Sequence, residues 1–278
     1  MFRLFALLIV GFIGFASLGG YAERWLLYPF DGTRVEPASV GLSSVKEQII
    51  EIDETQLVVW TSPPKPGKPI ILYFHGNAGN LAIRAGRFQR FLDRGYGLVA
   101  PAYRGSSGSK GTPSQETLTK DARTIAIQLA TRTNTFANIA PKAPIVIYGE
   151  SLGTAVSMQV LSAKSITHNQ LIAAVVLEAP FTSLKDLATE HYAALAGLAE
   201  GLDSQWRSID VAPQALSAPL LVLHGTKDTL IPFTQGQRIF EAASSQSKQF
   251  LSVKGAGHTD LWRSDVLPRL WAFIDRAS

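Results

Sequence analysis

The 278-residue chain contains no cysteine. Disulfides, thiolate catalysis and cysteine-ligated zinc are excluded at once. Charge is scarce too: 17% of residues carry one, with no run of a single sign. The net charge of +4 is spread over isolated Lys and Arg residues. That pattern suits an anionic membrane surface, and nucleic acid is not expected as a partner. Internal repeats and low-complexity segments are missing as well.

Long hydrophobic runs are also missing, with one exception. Between Arg3 and Glu23 stand nineteen uncharged residues, "LFALLIVGFIGFASLGGYA". As a helix this run would be about 28 Å long, close to the roughly 30 Å hydrocarbon core of a bilayer. Positive charge sits on its short leading side, which keeps that end cytoplasmic and exports the body of the protein. Gly20-Tyr21-Ala22 also resembles a small-x-small cleavage site, so secretion after signal cleavage is one alternative and a buried N-terminal helix is another. The reading divides the chain into a membrane anchor or signal segment, 1–24, and a folded domain, 25–278.

The whole chain is 46% hydrophobic, enough for a sizeable core, and its length suits one α/β domain. After the extended connection "ERWLLYPFDG", β-rich runs at 48–52 and 57–60 flank the polar turn Asp53-Glu54-Thr55 and predict a hairpin. A Pro-rich surface loop follows at 62–69. Apolar runs at 70–74, 97–100, 145–148, 173–177, 220–223 and 250–253 then alternate with longer segments. In one of these, Leu118, Ala122, Ile125 and Leu129 share a helical face. Strand-helix alternation of this kind predicts a mostly parallel sheet covered on both faces, with functional groups at the C-terminal ends of its strands.

Four such ends carry chemistry. In "YGESLG" the spacing Gly149-x-Ser151-x-Gly153 forces a sharp strand-to-helix turn and exposes Ser151 as a nucleophile, with a helix over 152–163 directing its N-terminal amides to the same spot. A serine hydroxyl needs a base, and His258 in "KGAGH" follows the last strand on a glycine-rich loop. That base needs a carboxylate, supplied by Asp228 in "HGTKD", with Glu178 as the fallback. Glu150 is assigned no part in the triad. The order is Ser151, Asp228 seventy-seven residues on, and His258 thirty after that. The oxyanion of the tetrahedral intermediate needs amide donors: the Leu152 N–H and one from "HGNAGN", Asn77 first and Ala78 second. His75 and His224 are expected to bond loop backbone, and His168 and His191 to face solvent.

With these residues in place, the chain resembles the α/β-hydrolase superfamily, and within it the Bem46-like membrane-anchored serine hydrolases. "LLYP", "YFHGNAGN", "GYGLVAPAYRGSSGS", "GESLG", "LHGTKDTLIP" and "GAGH" carry the resemblance from about Trp25 onward. It implies an eight-stranded α/β-hydrolase sheet with helices on both faces. Ser151, Asp228 and His258 would be the triad, and Asn77 and Leu152 the oxyanion site. It also implies an acyl-enzyme mechanism on small or lipid-like esters or thioesters, without metal or organic cofactor. A depalmitoylase-like thioesterase at the membrane and a non-catalytic binding scaffold are the alternatives. Tyr103 and Arg104 are read as scaffold, and Ala102 departs from the Asp that usually precedes that tyrosine. Fewer than forty residues between 181 and 219 leave no room for a large lid, although "HYAALAGLAEGL" could line an acyl pocket or fill the core.

Overall fold

Period-two alternation inside continuous apolar runs sets the architecture, because each strand must feed a core on either side of it. The eight strands are β1 (Lys46–Ile52), β2 (Thr55–Ser62), β3 (Ile70–Phe74), β4 (Gly97–Pro101), β5 (Ile145–Glu150), β6 (Ile172–Glu178), β7 (Leu220–Gly225) and β8 (Lys248–Val253). Each coincides with one of the runs expected from sequence. This computed structural model describes residues 20–137, 139–140, 142–163, 166, 172–191 and 199–277. The strands form one sheet in the order β1-β2-β4-β3-β5-β6-β7-β8. β2 runs antiparallel to both neighbours, and every later pairing is parallel. The hairpin turns on Asp53 and Glu54 at φ 48° and 61°, the left-handed pair whose twist matches that of the flanking strands.

Ile70, Leu72 and Phe74 face one core with Ile147, Leu177 and Val222. Ile71 and Tyr73 face the other with Tyr148, Val176 and Leu223. The helices are α1 (Gly20–Leu27), α2 (Ala85–Asp93), α3 (Gln115–Thr131), α4 (Leu152–Leu161), α5 (Leu184–His191), α6 (Ser208–Ala215), α7 (Phe233–Ala242) and α8 (Leu267–Asp275). The first core is closed by α3, α4, α6 and α7, and the second by Phe88 and Phe91 of α2 and Leu270 and Phe273 of α8. The predicted stripe Leu118, Ala122, Ile125 and Leu129 is the buried face of α3, whose start is fixed by a reciprocal capping box between Ser114 and Thr117. Helix α4 stops at Leu161 and not at residue 163.

The expected anchor falls mainly on residues 1–19, outside the described residues. Among the described residues no helix is long and apolar enough to cross a membrane. Domain contacts begin slightly ahead of the expected boundary. The buried Glu23 carboxylate accepts the N–H groups of Asp203 and Ser204, each at 2.8 Å. Most of the apolar stretch read as acyl pocket or core, 192–198, also lies outside the described residues, as does His168.

Candidate active site

The turn between β5 and α4 has Ser151 at φ 52° and ψ −116°. A non-glycine residue held there stores roughly 1–3 kcal/mol of strain and persists only if its surroundings over-determine it. They do. Ser151 N donates to the Glu178 carbonyl at 2.9 Å, tying the turn to the end of β6, and Thr154 N returns to the Ser151 carbonyl at 2.9 Å. The flanking glycines are needed for space. A Cβ on Gly153 would lie 1.9 Å from the Phe74 carbonyl oxygen, and one on Gly149 would lie 2.6 Å from the Gly153 oxygen. The helix is thus wedged against the end of β3 while the serine hydroxyl stays accessible.

The loops after β7 and β8 are packed together just as closely. A Cβ on Gly225 would meet the Gly257 oxygen at 2.3 Å. Lys227 N bonds the Ala256 carbonyl at 2.8 Å and Gly255 N bonds Thr226 Oγ1 at 2.9 Å. Asp228 and His258 ride on these two loops. His258 Nδ1 stands 2.7 Å from Asp228 Oδ2, and its Nε2 stands 3.1 Å from Ser151 Oγ. An ionised carboxylate only accepts, so Nδ1 carries the proton and Nε2 is free to accept the one on Ser151. Asp228 Oδ1 accepts the N–H groups of Leu230 and Ile231 at 2.9 and 2.8 Å. Burial works to raise the Asp228 carboxyl, but His258 and these two amides outweigh it and hold it below the ordinary carboxylate range. The structure therefore brings together the three side chains expected from sequence.

Glu178 is not the partner of His258. Its carboxylate accepts Arg87 Nη1 at 2.7 Å and Trp262 Nε1 at 2.9 Å, together with the Tyr148 hydroxyl. His75 and His224 bond loop backbone as expected, donating to the carbonyls of Gly76 at 2.7 Å and Ile231 at 2.9 Å. Burial lowers both imidazoles, His75 to about 3, and so keeps them neutral. His224 Nε2 is 3.6 Å from Asp228, but its proton goes to Ile231, and the contact is no ion pair. His191, expected to face solvent, is half-buried at the end of α5, with Nε2 2.9 Å from the Leu230 carbonyl.

This chain order on this sheet has known counterparts. Residues 69–213 match the family model described as the alpha/beta hydrolase fold. The chain belongs to the α/β-hydrolase family. It is 31% identical to protein bem46 of Schizosaccharomyces pombe over 76% of this chain and 68% of that one. It is 30% identical to the lysophosphatidylserine lipase ABHD12 of Danio rerio over 75% of this chain and 58% of the lipase. Among solved structures, a soluble variant of the Saccharomyces cerevisiae monoglyceride lipase superposes with a TM-score of 0.65 at 15% identity, covering 90% of this chain and 98% of the other. At that identity the likeness is one of fold.

The "HGNAGN" loop lies against the Ser151 turn, where a Cβ on Gly76 would be 3.5 Å from Ser151 Cβ. The backbone N–H groups of Asn77, Ala78 and Leu152 find no acceptor among the described residues. The Asn77 side chain is already committed, donating to the Leu27 carbonyl at 3.1 Å. Tyr103 and Arg104 are scaffold: the phenol bonds the His75 carbonyl at 3.0 Å, and the guanidinium forms a two-pronged pair with Asp121 at 2.7 and 2.8 Å. Ala102 sits in the second core, its carbonyl held by Ser109 at 3.0 Å.

Sequence reasoning missed the charged floor of the site. A small open cleft beside Ser151 and His258 is lined by Arg87, Glu150, Glu178, Ala179 and Thr259. Arg84 holds Glu150 at 2.9 and 3.3 Å, and Tyr73 donates to the same carboxylate at 2.7 Å. Burial would raise Glu150, but Arg84 and Arg87 bring it down to about 2. A signal was present. Arg84, Arg87, Phe88 and Phe91 recur at i, i+3, i+4 and i+7, so the two arginines occupy positions of a buried stripe and must have partners there.

Proposed function

We propose that the chain is a serine hydrolase that cleaves carboxylic esters of lipid-like character through an acyl-enzyme. One observation carries the reading: a single imidazole bridges a buried carboxylate and the hydroxyl of a strained serine, with its tautomer fixed by the carboxylate. Ser151 Oγ attacks the ester carbonyl as His258 Nε2 takes its proton, and Asp228 stabilises the imidazolium that forms. The N–H groups of Leu152 and Asn77 stabilise the oxyanion. His258 then protonates the departing alkoxide, and the same base activates the water that releases the acid and restores Ser151.

Lipid-like substrates are supported by the lipase names among the relatives and by the apolar run 4–22. That run would anchor the protein in a membrane, with the catalytic domain on the exported side. A fluorophosphonate probe should label the wild type and leave Ser151→Ala unlabelled. Turnover of p-nitrophenyl esters should fall at least a thousandfold in His258→Ala, about the scale seen when one triad member is removed. Equal labelling of wild type and Ser151→Ala would end the assignment. Release into the soluble fraction without detergent would end the anchor.

A further inference from the structure

The chain between α1 and β1 runs directly over the "HGNAGN" loop. The Leu27 carbonyl accepts Asn77 Nδ2 at 3.1 Å. Phe30 pairs with Gly79 in an isolated parallel bridge, and Asp31 N donates to the Gly79 carbonyl at 3.1 Å. Asp31 Oδ2 then accepts Asn80 Nδ2 at 2.7 Å, while Asp31 Oδ1 accepts Thr33 N at 2.8 Å. The Phe30 ring lies edge-on to His75, with centroids 5.8 Å apart. From the other side, Arg84 Nη1 donates to the carbonyls of Ala78 and Asn80 at 3.0 and 2.9 Å. The side chains of Asn77 and Asn80 and the carbonyls of Ala78, Gly79 and Asn80 are therefore all engaged away from the nucleophile. The N–H groups of Asn77 and Ala78 donate to no acceptor among the described residues.

We infer that residues 27–33 form a clasp that positions the oxyanion loop, with Asp31 and Asn80 as its positioning pair and the Asn77 side chain as a tether and not a donor to substrate. The inference rests on the serine-hydrolase reading above. Asn80 is well suited to the part, because it joins both halves. Its Nδ2 reaches Asp31, and its Oδ1 caps the turn that leads into α2 by accepting Ala82 N at 3.0 Å. Among the described residues the clasp makes no hydrogen bond to Ser151, Asp228 or His258 themselves, so it acts on the transition state through where the loop amides sit. An amide displaced by about 1 Å loses most of its worth to a developing oxyanion, and such misplacement costs up to about a hundredfold in rate.

The exchange of the two side chains tests this. Asn80→Asp sets two carboxylates against each other across the 2.7 Å contact. The double variant D31N/N80D restores a donor on one side and acceptors on the other, including those that Thr33 N and Ala82 N need. In full-length protein, with active sites counted by burst titration, Asn80→Asp should lose about ten- to a hundredfold in kcat on a p-nitrophenyl ester. KM should stay within about twofold, and phosphonylation of Ser151 should slow by the same factor as kcat. D31N/N80D should recover both rates to within about threefold of wild type. If Asn80→Asp does not fold, Asp31→Ala at an exposed position makes the same test. Full kcat per titrated site in these single variants, or no recovery in the exchange, would overturn the clasp. Should Ser151→Ala stay unlabelled in that case, the hydrolase reading would still stand. Labelling that persists in Ser151→Ala would sink the nucleophile assignment whatever the clasp variants do.

Discussion

Two glycine-to-alanine substitutions should have opposite signs, and the structure gives the size of each. Gly86 and Gly153 both occupy the second position of a helix, α2 and α4. Propensity alone favours alanine over glycine by roughly 0.5–1 kcal/mol inside a helix, less near its start. A Cβ on Gly86 meets nothing within 4 Å, so Gly86→Ala should stabilise by about 0.5 kcal/mol. On Gly153 the same atom would stand 1.9 Å from the Phe74 oxygen and 2.5 Å from its carbon. Ordinary contact needs about 3.4 Å or more, so the end of β3 and the start of α4 must separate by more than an ångström. Both partners are backbone, one of them in the centre of the sheet, and neither can rotate away. The cost should be about 3 kcal/mol or more. Because Ser151 sits two residues before this contact, the displacement should also slow fluorophosphonate labelling about a hundredfold. Urea unfolding and labelling rates, measured on both variants, check the pair. A Gly153→Ala protein as stable and as reactive as wild type would refute the claim that backbone contact holds the nucleophile turn.

Two further outcomes follow from the buried charges. Arg87→Met leaves the Glu178 carboxylate, whose side chain is 2% exposed, without its cation, and should destabilise by about 3 kcal/mol. Adding Glu178→Gln should recover most of that, and a double variant as unstable as the single would show that packing and not charge was lost. Stability should also fall with acid. His75 is held neutral down to about pH 3, whereas the unfolded imidazole protonates near 6.5. In that window the unfolded state binds the extra proton, so His75 contributes full stability above about pH 6.5 and loses it as the pH falls, by up to about 1.4 kcal/mol per unit. His224 is lowered in the same direction, and the depressed carboxyls of Asp228 and Glu150 extend the loss to lower pH. Between pH 6.5 and 4.5 the urea midpoint should therefore drop, by an amount smaller in His75→Gln. A flat profile would contradict a buried neutral imidazole.

The strands were legible because each is apolar along its whole length, and burial on both faces requires that. Ser151, Asp228 and His258 were legible for a related reason: glycine spacing and strand ends mark where the chain must turn tightly at the sheet edge, and few polar residues stand there. Asn77 was legible as a loop position but not as a tethered side chain, since its partner is a main-chain carbonyl fifty residues away that no side-chain pattern records. The fallback role for Glu178 failed because its occupants, Arg87, Tyr148 and Trp262, come from three separate segments. Pattern reading finds the face a residue lies on. It does not find which distant charge or ring will meet it there.

Glu150 shows why that difference matters for the chemistry. A carboxylate one residue from the serine, ionised down to about pH 2, would oppose the negative charge that develops during attack. Left unpaired in a low-dielectric site, it would cancel part of what an oxyanion donor supplies. Arg84 removes the problem by pairing with it at 2.9 Å, and the same guanidinium holds the carbonyls of Ala78 and Asn80. One buried side chain therefore neutralises the anion beside Ser151 and fixes the loop that would bind the oxyanion. Loss of Arg84 should accordingly cost more than the sum of a broken pair and a loosened loop, because the freed Glu150 charge would act on an oxyanion whose donors had also moved.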